Sequence, residues 1–218
     1  MKRVSILALI LVLCFAGAVL AEEKKIDRGT ILVGGGSSLG LLMGNHTIEP
    51  EGSDDIEAST TAFTLMGHGG YFLMDGLALG PILSFSYGQV KVGQEGLDTT
   101  GTLSMWEIGA QGVYIFNLGP RKTWAPFGAL ALEYLSGSMD YEVDSEAVNS
   151  DSSSEMSGWS VTPRGGIMFF LHNRIALDLS VYFKYISASG SMDSGEQQDM
   201  DVTSMSYGIM LGIDGFLH

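Results

Sequence analysis

Five ionisable residues stand inside runs of otherwise apolar or small residues: Glu107, Glu133, Arg164, Asp178 and Lys184. Asp214 sits in a similar run near the carboxyl end. Charges in such surroundings have two uses. They pair with one another to fill a polar interior, or they line a path for ions. Catalytic signals are weaker. His46, His68 and His172 show no metal-ligand spacing with one another. Gly34-Gly35-Gly36 lacks the Gly-Lys-Ser/Thr continuation of a phosphate loop, and the serine runs at 37–38 and 152–154 belong to no nucleophile motif. The expectation is a chain with no catalytic residues, no cofactor and no metal centre.

The other chemical feature is acidity. Seventeen of the 25 Asp and Glu residues fall in four polar stretches, 44–60, 90–100, 137–157 and 188–201, where Lys91 is the only Lys or Arg. The plain reading is a solvated acidic surface. The sharper one is divalent-cation binding, since hard cations take carboxylate oxygens, with Asp54, Asp55, Asp140, Glu142 and Asp144 as candidate ligands. No stretch matches the twelve-residue calcium loop. A formal charge of −14 over 218 residues argues against a nucleic-acid partner, which needs clustered Lys and Arg.

Something must position these residues. Lys2 and Arg3, then an apolar run to Leu20 and the small-residue end at Ala21, read as a secretory signal peptide over 1–21, leaving 22–218 as one domain. Cys14, the only cysteine, would leave with it, so no disulfide staples the remainder. After Ala21 the chain reads as eight apolar segments: 30–43, 61–73, 77–89, 101–118, 124–136, 158–171, 175–187 and 202–217. None has a 3.6-residue stripe, and several alternate with period two, the strand signal. In the third, Leu77, Leu79, Leu83, Phe85 and Tyr87 oppose Ala78, Gly80, Ser84, Ser86 and Gly88; in the seventh, Leu177, Leu179, Val181 and Phe183 oppose Asp178, Ser180, Tyr182 and Lys184.

These segments exceed the roughly 5–6 residues of an ordinary strand and suit the roughly 9–11 of a tilted membrane-crossing one. Their connections alternate long and short, as in bacterial barrels with short periplasmic turns and long outer loops. Lipid offers no hydrogen bonds, so the sheet must close. The predicted fold is all-β: an eight-stranded antiparallel up-and-down transmembrane β-barrel. Its interior has room only for side chains. The five charges and Asp214 then point inward, and pairing of Glu107 and Glu133 with Arg164 and Lys184 would plug the lumen. Trp106, Tyr114, Trp124, Tyr134, Trp159, Tyr185 and Tyr207 fall on outward faces, as interface girdles require.

The stretches TTAFTLMGHGGYFLMDGLALGPILSFSYG and GWSVTPRGGIMFFLHNRIALDLSVYFKY resemble the strand–turn–strand units of the outer-membrane β-barrel domain family, near OmpX and the OmpA transmembrane domain. The end, MSYGIMLGIDGFLH, resembles the terminal strand read by the barrel assembly machinery, although it closes on His218 where an aromatic is expected. The resemblance implies export through the Sec pathway to the outer membrane of a Gram-negative-type bacterium. The implied partners are outer-membrane lipid, the assembly machinery, and an extracellular ligand or divalent cations at the loops. A monomer is expected. The expected role is structural or surface-interacting, with a narrow porin-like channel as the first alternative and a lipid-modifying enzyme as the second.

Overall fold

The computed structural model describes residues 26–40, 45–50, 56–94, 97–116, 123–145, 148–172, 174–193 and 197–218; toward the outer hairpin ends only the backbone course is described. The leader at 1–21, and Asp54 and Asp55, lie outside the described residues.

The chain folds into β1 (Ile31–Gly40), β2 (Asn45–Pro50), β3 (Ile56–Met74), β4 (Leu77–Gln94), β5 (Leu97–Ile115), β6 (Trp124–Ser145), β7 (Val148–His172), β8 (Ile175–Asp193) and β9 (Gln197–Leu217). All pairings are antiparallel. β1 and β2 share the neighbours β3 and β9, so they are successive parts of one stave. From Gly40 to Asn45 that stave advances five positions while β3 advances three, from Ala62 to Ser59. Two extra residues are therefore absorbed there. Eight staves result, and the bonds from β1 and β2 to β9 close them into a barrel.

The closure is staggered. Registered partners lead from Ser37 through Leu65, Phe85, Trp106, Ser136, Ser157, Ser189 and Asp201, and return to the first stave at Glu49. This climb, which includes the two-residue insertion, is the shear that tilts barrel strands by about 35–45°.

Alternation decides what faces where. The outer wall exposes Ile108 at 62%, Leu132 at 60% and Val181 at 63%, among many large apolar side chains. Such a band would drive aggregation in water and is the expected surface in lipid. Aromatics border it. Near the long hairpins Phe85 lies 4.5 Å from Trp106 and Trp159 lies 5.6 Å from Tyr185; near the short turns Tyr114 lies 4.9 Å from Phe116, ring centroid to centroid. Leu132→Arg is expected to cost roughly 2–4 kcal/mol of unfolding free energy in bilayers, against about 0–1 for arginine near an interface. Denaturant titration of liposome-inserted protein measures it. Equal costs at Leu132 and at Ser136, four positions nearer the hairpin, would contradict the lipid-facing assignment.

The short turns are tightly specified. Gly76 has φ of +81°, and a Cβ there would meet the Ile115 carbonyl oxygen at 2.5 Å. Only glycine satisfies both conditions. The Gly76 carbonyl accepts the Ile115 N–H at 2.7 Å, tying this turn to β5.

The long connections differ from the sequence reading. All four stretches taken as loops are mostly strand. β6 and β7 pair up to Ser145–Val148, β4 and β5 to Gln94–Leu97, and β8 and β9 to Asp193–Gln197. In the first, β2 and the start of β3 also pair, Ile48 with Ile56. Asp140, Glu142 and Asp144 therefore belong to β6 and not to a loop. The physical reason is that a ladder above the bilayer meets water on its outer face. Its hydrogen bonds continue, but no apolar outer face is needed, so polar residues take those positions and the apolar ones remain on one face only, as Met139, Tyr141 and Val143 do between Asp140, Glu142 and Asp144 on β6.

Candidate functional site

The lumen is built of layers, and each strand reads the same way from its turn end. On β7, Phe170 and Met168 precede Arg164, Thr162 and Ser160, and Met156 follows; on β8, Ala176 precedes Asp178, Ser180 and Lys184, and Ala188 follows. Leu32, Phe72, Val113, Ile115, Phe127, Met168, Phe170 and Phe216 pack into an apolar base at the short-turn end. Leu103, Met105, Leu135, Met139, Met156, Ala188 and Val202 form a second apolar layer toward the hairpins. The charges lie between the two.

Glu107, Glu133, Arg164, Asp178 and Lys184 are all buried, as is Asp214. Lys184 Nζ donates to Glu107 Oε2, and Ser160 Oγ donates to Glu107 Oε1 at 3.2 Å. Glu133 Oε1 accepts from Ser84 Oγ at 2.9 Å, and Asp178 Oδ1 accepts from Ser180 Oγ at 3.2 Å. Arg164 departs from the sequence reading, which paired it with a glutamate. Its Nη1 reaches the sulfurs of Met210 at 3.2 Å and Met66 at 3.9 Å, and its guanidinium lies 5.3 Å from the Phe127 ring centroid. Among the described residues no carboxylate hydrogen-bonds to it. The register explains this. Glu133 faces Ser160, whereas Arg164 faces Ala129, four residues further down β6. At about 3.3 Å per residue the two lie far apart along the wall. Arg164 instead crosses the lumen above the apolar base.

A further pair was not legible from sequence. His68 Nε2 and Asp214 Oδ1 are 2.7 Å apart and buried, though 146 residues separate them. Gly34 stands between them in the register, opposite His68 on β3 and Asp214 on β9. A Cβ at Gly34 would lie 2.0 Å from Asp214 Oδ1 and 2.5 Å from His68 Nε2. The glycine is the gap through which the two side chains meet. The only signal for it is closure itself, which makes first and last staves neighbours. Orientation of a histidine by a carboxylate is also a catalytic arrangement, but that requires a nucleophile at the other ring nitrogen. His68 Nδ1 has no hydrogen-bond partner among the described residues.

Between base and upper layer lies a lumen cavity of about 60 Å³, lined in part by Gln111, Glu133, Thr162, Arg164, Ser204 and Ser206. Gln111 Nε2, Arg164 Nη2 and the two serine hydroxyls have no partner within the described protein. The space suits a few water molecules bridging these groups.

The remaining candidates lie on the outer hairpins. Asp140 is exposed and faces Ser153 across the ladder; Glu142 faces Asp151, and Asp144 faces Asn149. Among the described residues no group of three or more His, Cys, Asp or Glu is arranged to hold a metal ion. His172 is exposed at the β7–β8 turn, and His46 lies on β2 opposite Ala58 and Ser204.

Comparison with known proteins follows the same lines. The chain is similar to the outer membrane protein OprG of Pseudomonas aeruginosa, with a TM-score of 0.68, 16% identity, and coverage of 91% of this chain and 100% of that one. It is matched more loosely by Ail, the attachment invasion locus protein of Yersinia pestis (TM-score 0.38, 16% identity, 87% and 99% covered), and by the outer membrane protease OmpT of Escherichia coli (0.49, 9%, 92% and 100%). At these identities the OprG match supports the fold alone, and the looser two add no argument. No curated protein sequence matches the chain. The model of the outer membrane protein beta-barrel domain matches residues 7–213. The closed barrel, its lipid-facing wall and this match agree: the chain belongs to the outer membrane protein beta-barrel domain family.

Proposed function

We propose that this protein is a non-catalytic outer-membrane barrel with a closed lumen, whose specific work is done by its outer hairpins as a surface-interaction platform. One observation carries the reading: the polar middle of the lumen lies between two apolar layers, Phe72, Phe127, Phe170 and Phe216 in the base and Leu103, Leu135, Met139 and Met156 above. An apolar layer packed side chain to side chain excludes both ions and the water that would accompany them. The hairpins supply the working surface. β6 and β7 pair with each other to Ser145–Val148, while the pairing of β6 with β5 runs to Thr100–Glu142 and that of β7 with β8 to Ser153–Asp193. Their ends form an acidic two-stranded ribbon standing above the neighbouring staves. A cationic ligand, or a surface bridged through divalent cations, fits its charge.

Liposome swelling tests the closed lumen with uncharged solutes. Vesicles holding the protein should swell in arabinose or glycine no faster than protein-free vesicles. Swelling that slows with increasing solute size would instead support a narrow channel for small solutes, the reading favoured by the cavity between the layers.

A further inference from the structure

The outer wall is not uniformly convex. Above the lipid-facing band, β5 to β8 form an open groove of about 720 Å³. Trp106, Ser136, Ser157 and Ser189 lie along one registered row of its surface, and Ser138 and Glu155 face each other in the row above. The row beneath is Ile108, Tyr134 and Trp159, two of them girdle aromatics and all exposed. The groove therefore starts where the girdle ends, on the hairpin side, at the level of outer-leaflet headgroups.

Glycines shape it. A Cβ at Gly137 would meet the Ser104 carbonyl oxygen at 2.6 Å, and one at Gly190 would meet the Glu155 carbonyl oxygen at 2.2 Å. Their absence lets β6 close on β5, and β8 on β7, more tightly than any side chain would allow. The Trp106 ring lies against Phe85, and the residue remains 56% exposed.

The lining selects its occupant. Among the described residues no Lys, Arg or His lines the groove, and Glu155 adds a negative charge, so a phosphate is poorly served. Serine hydroxyls wet the surface, so an acyl chain is poorly served as well. Hydroxyls that both donate and accept, one exposed indole face and one carboxylate suit a pyranose ring. Its C–H face covers the indole, its hydroxyls exchange hydrogen bonds with the serines, and the carboxylate accepts from a hydroxyl or amide N–H. The groove is continuous with the wall that lipid covers. An occupant with sugar above and hydrocarbon below matches both surfaces. We propose that this groove binds the sugar headgroup of an outer-leaflet glycolipid, whose chains lie on the apolar wall around Ile108 and Leu132.

The test uses the full-length folded protein in micelles, titrated in parallel with a purified rough-type glycolipid and with phosphatidylglycerol, and read by native mass spectrometry. Wild type should retain glycolipid at least tenfold better than Trp106→Ala, with Glu155→Gln and Ser136→Leu/Ser157→Leu also weakened. Tyr207→Ala, an exposed aromatic on β9 outside the groove, should bind as wild type does. Unchanged heat-modifiable mobility on gels shows that each variant still folds, and a variant that fails this check is replaced by Trp106→Leu. Equal retention in wild type and the folded groove variants would overturn the proposal. So would phosphatidylglycerol held as tightly as glycolipid, which would mean ordinary annular lipid.

Discussion

Gly109→Val is expected to abolish formation of the barrel, while Gly128→Ala leaves it intact. Both glycines lie in long strands of the same sheet, so strand propensity alone predicts a similar benefit from each change. Their surroundings differ. A Cβ at Gly109 would meet the Leu132 carbonyl oxygen at 2.0 Å and the Glu133 Cα at 2.6 Å. These are backbone atoms of the neighbouring strand, held by the ladder, and they cannot swing aside. At Gly128 nothing lies within 4 Å of the same atom. Closing an eight-stranded barrel demands sharp coiling of individual strands, and glycine supplies it where a side chain would strike the next stave. Refolding into detergent followed by unheated electrophoresis gives the folded fraction. Gly109→Val should give little or none of the fast-migrating form, and Gly128→Ala should match wild type. A fully folded Gly109→Val would mean that β5 and β6 do not approach as closely as described.

The second large effect concerns the buried ion pair. Lys184→Met should lower the unfolding free energy by about 3–5 kcal/mol, because it leaves Glu107 buried without its cation. The loss should be mostly recovered in Lys184→Met/Glu107→Leu. A buried pair replaced as a unit by apolar side chains is often neutral, since desolvation consumes most of its attraction. The sign of the coupling is therefore the informative quantity. Denaturant unfolding in vesicles followed by tryptophan emission measures all four corners of the cycle. Losses that simply add would show that Lys184 and Glu107 act independently.

What sequence revealed and what it hid divide along physical lines. The strands that cross lipid have one apolar face and one small or polar face, so β4 and β8 are plain from Leu79, Leu83 and Phe85, or from Leu177, Leu179 and Val181. The charges opposite those faces could only be internal, and Asp178 and Lys184 are buried. Partnership was harder, because it depends on register across the closed ring. Arg164 meets methionine sulfurs because four residues separate its position from the one facing Glu133. His68 finds Asp214 only because the first stave lies between β3 and β9. The upper strands were hidden for another reason. Ser136 to Ser145 has no apolar outer face, its even positions being Ser136, Ser138, Asp140, Glu142 and Asp144, and only Met139, Tyr141 and Val143 on the opposite face keep a strand signal. The groove depends on register in the same way, since its serines stand on four different strands and only the pairing aligns them.

The central claim is that this barrel does not conduct. Its most direct test is planar-bilayer recording of the purified protein, beside Phe72→Ala/Phe127→Ala and Leu135→Ala/Met156→Ala, which thin the base and the upper layer separately, and their combination. Wild type and each double variant should stay at the baseline current, and only the combined variant should open steps. Frequent, long-lived conductance steps from wild type would contradict the claim.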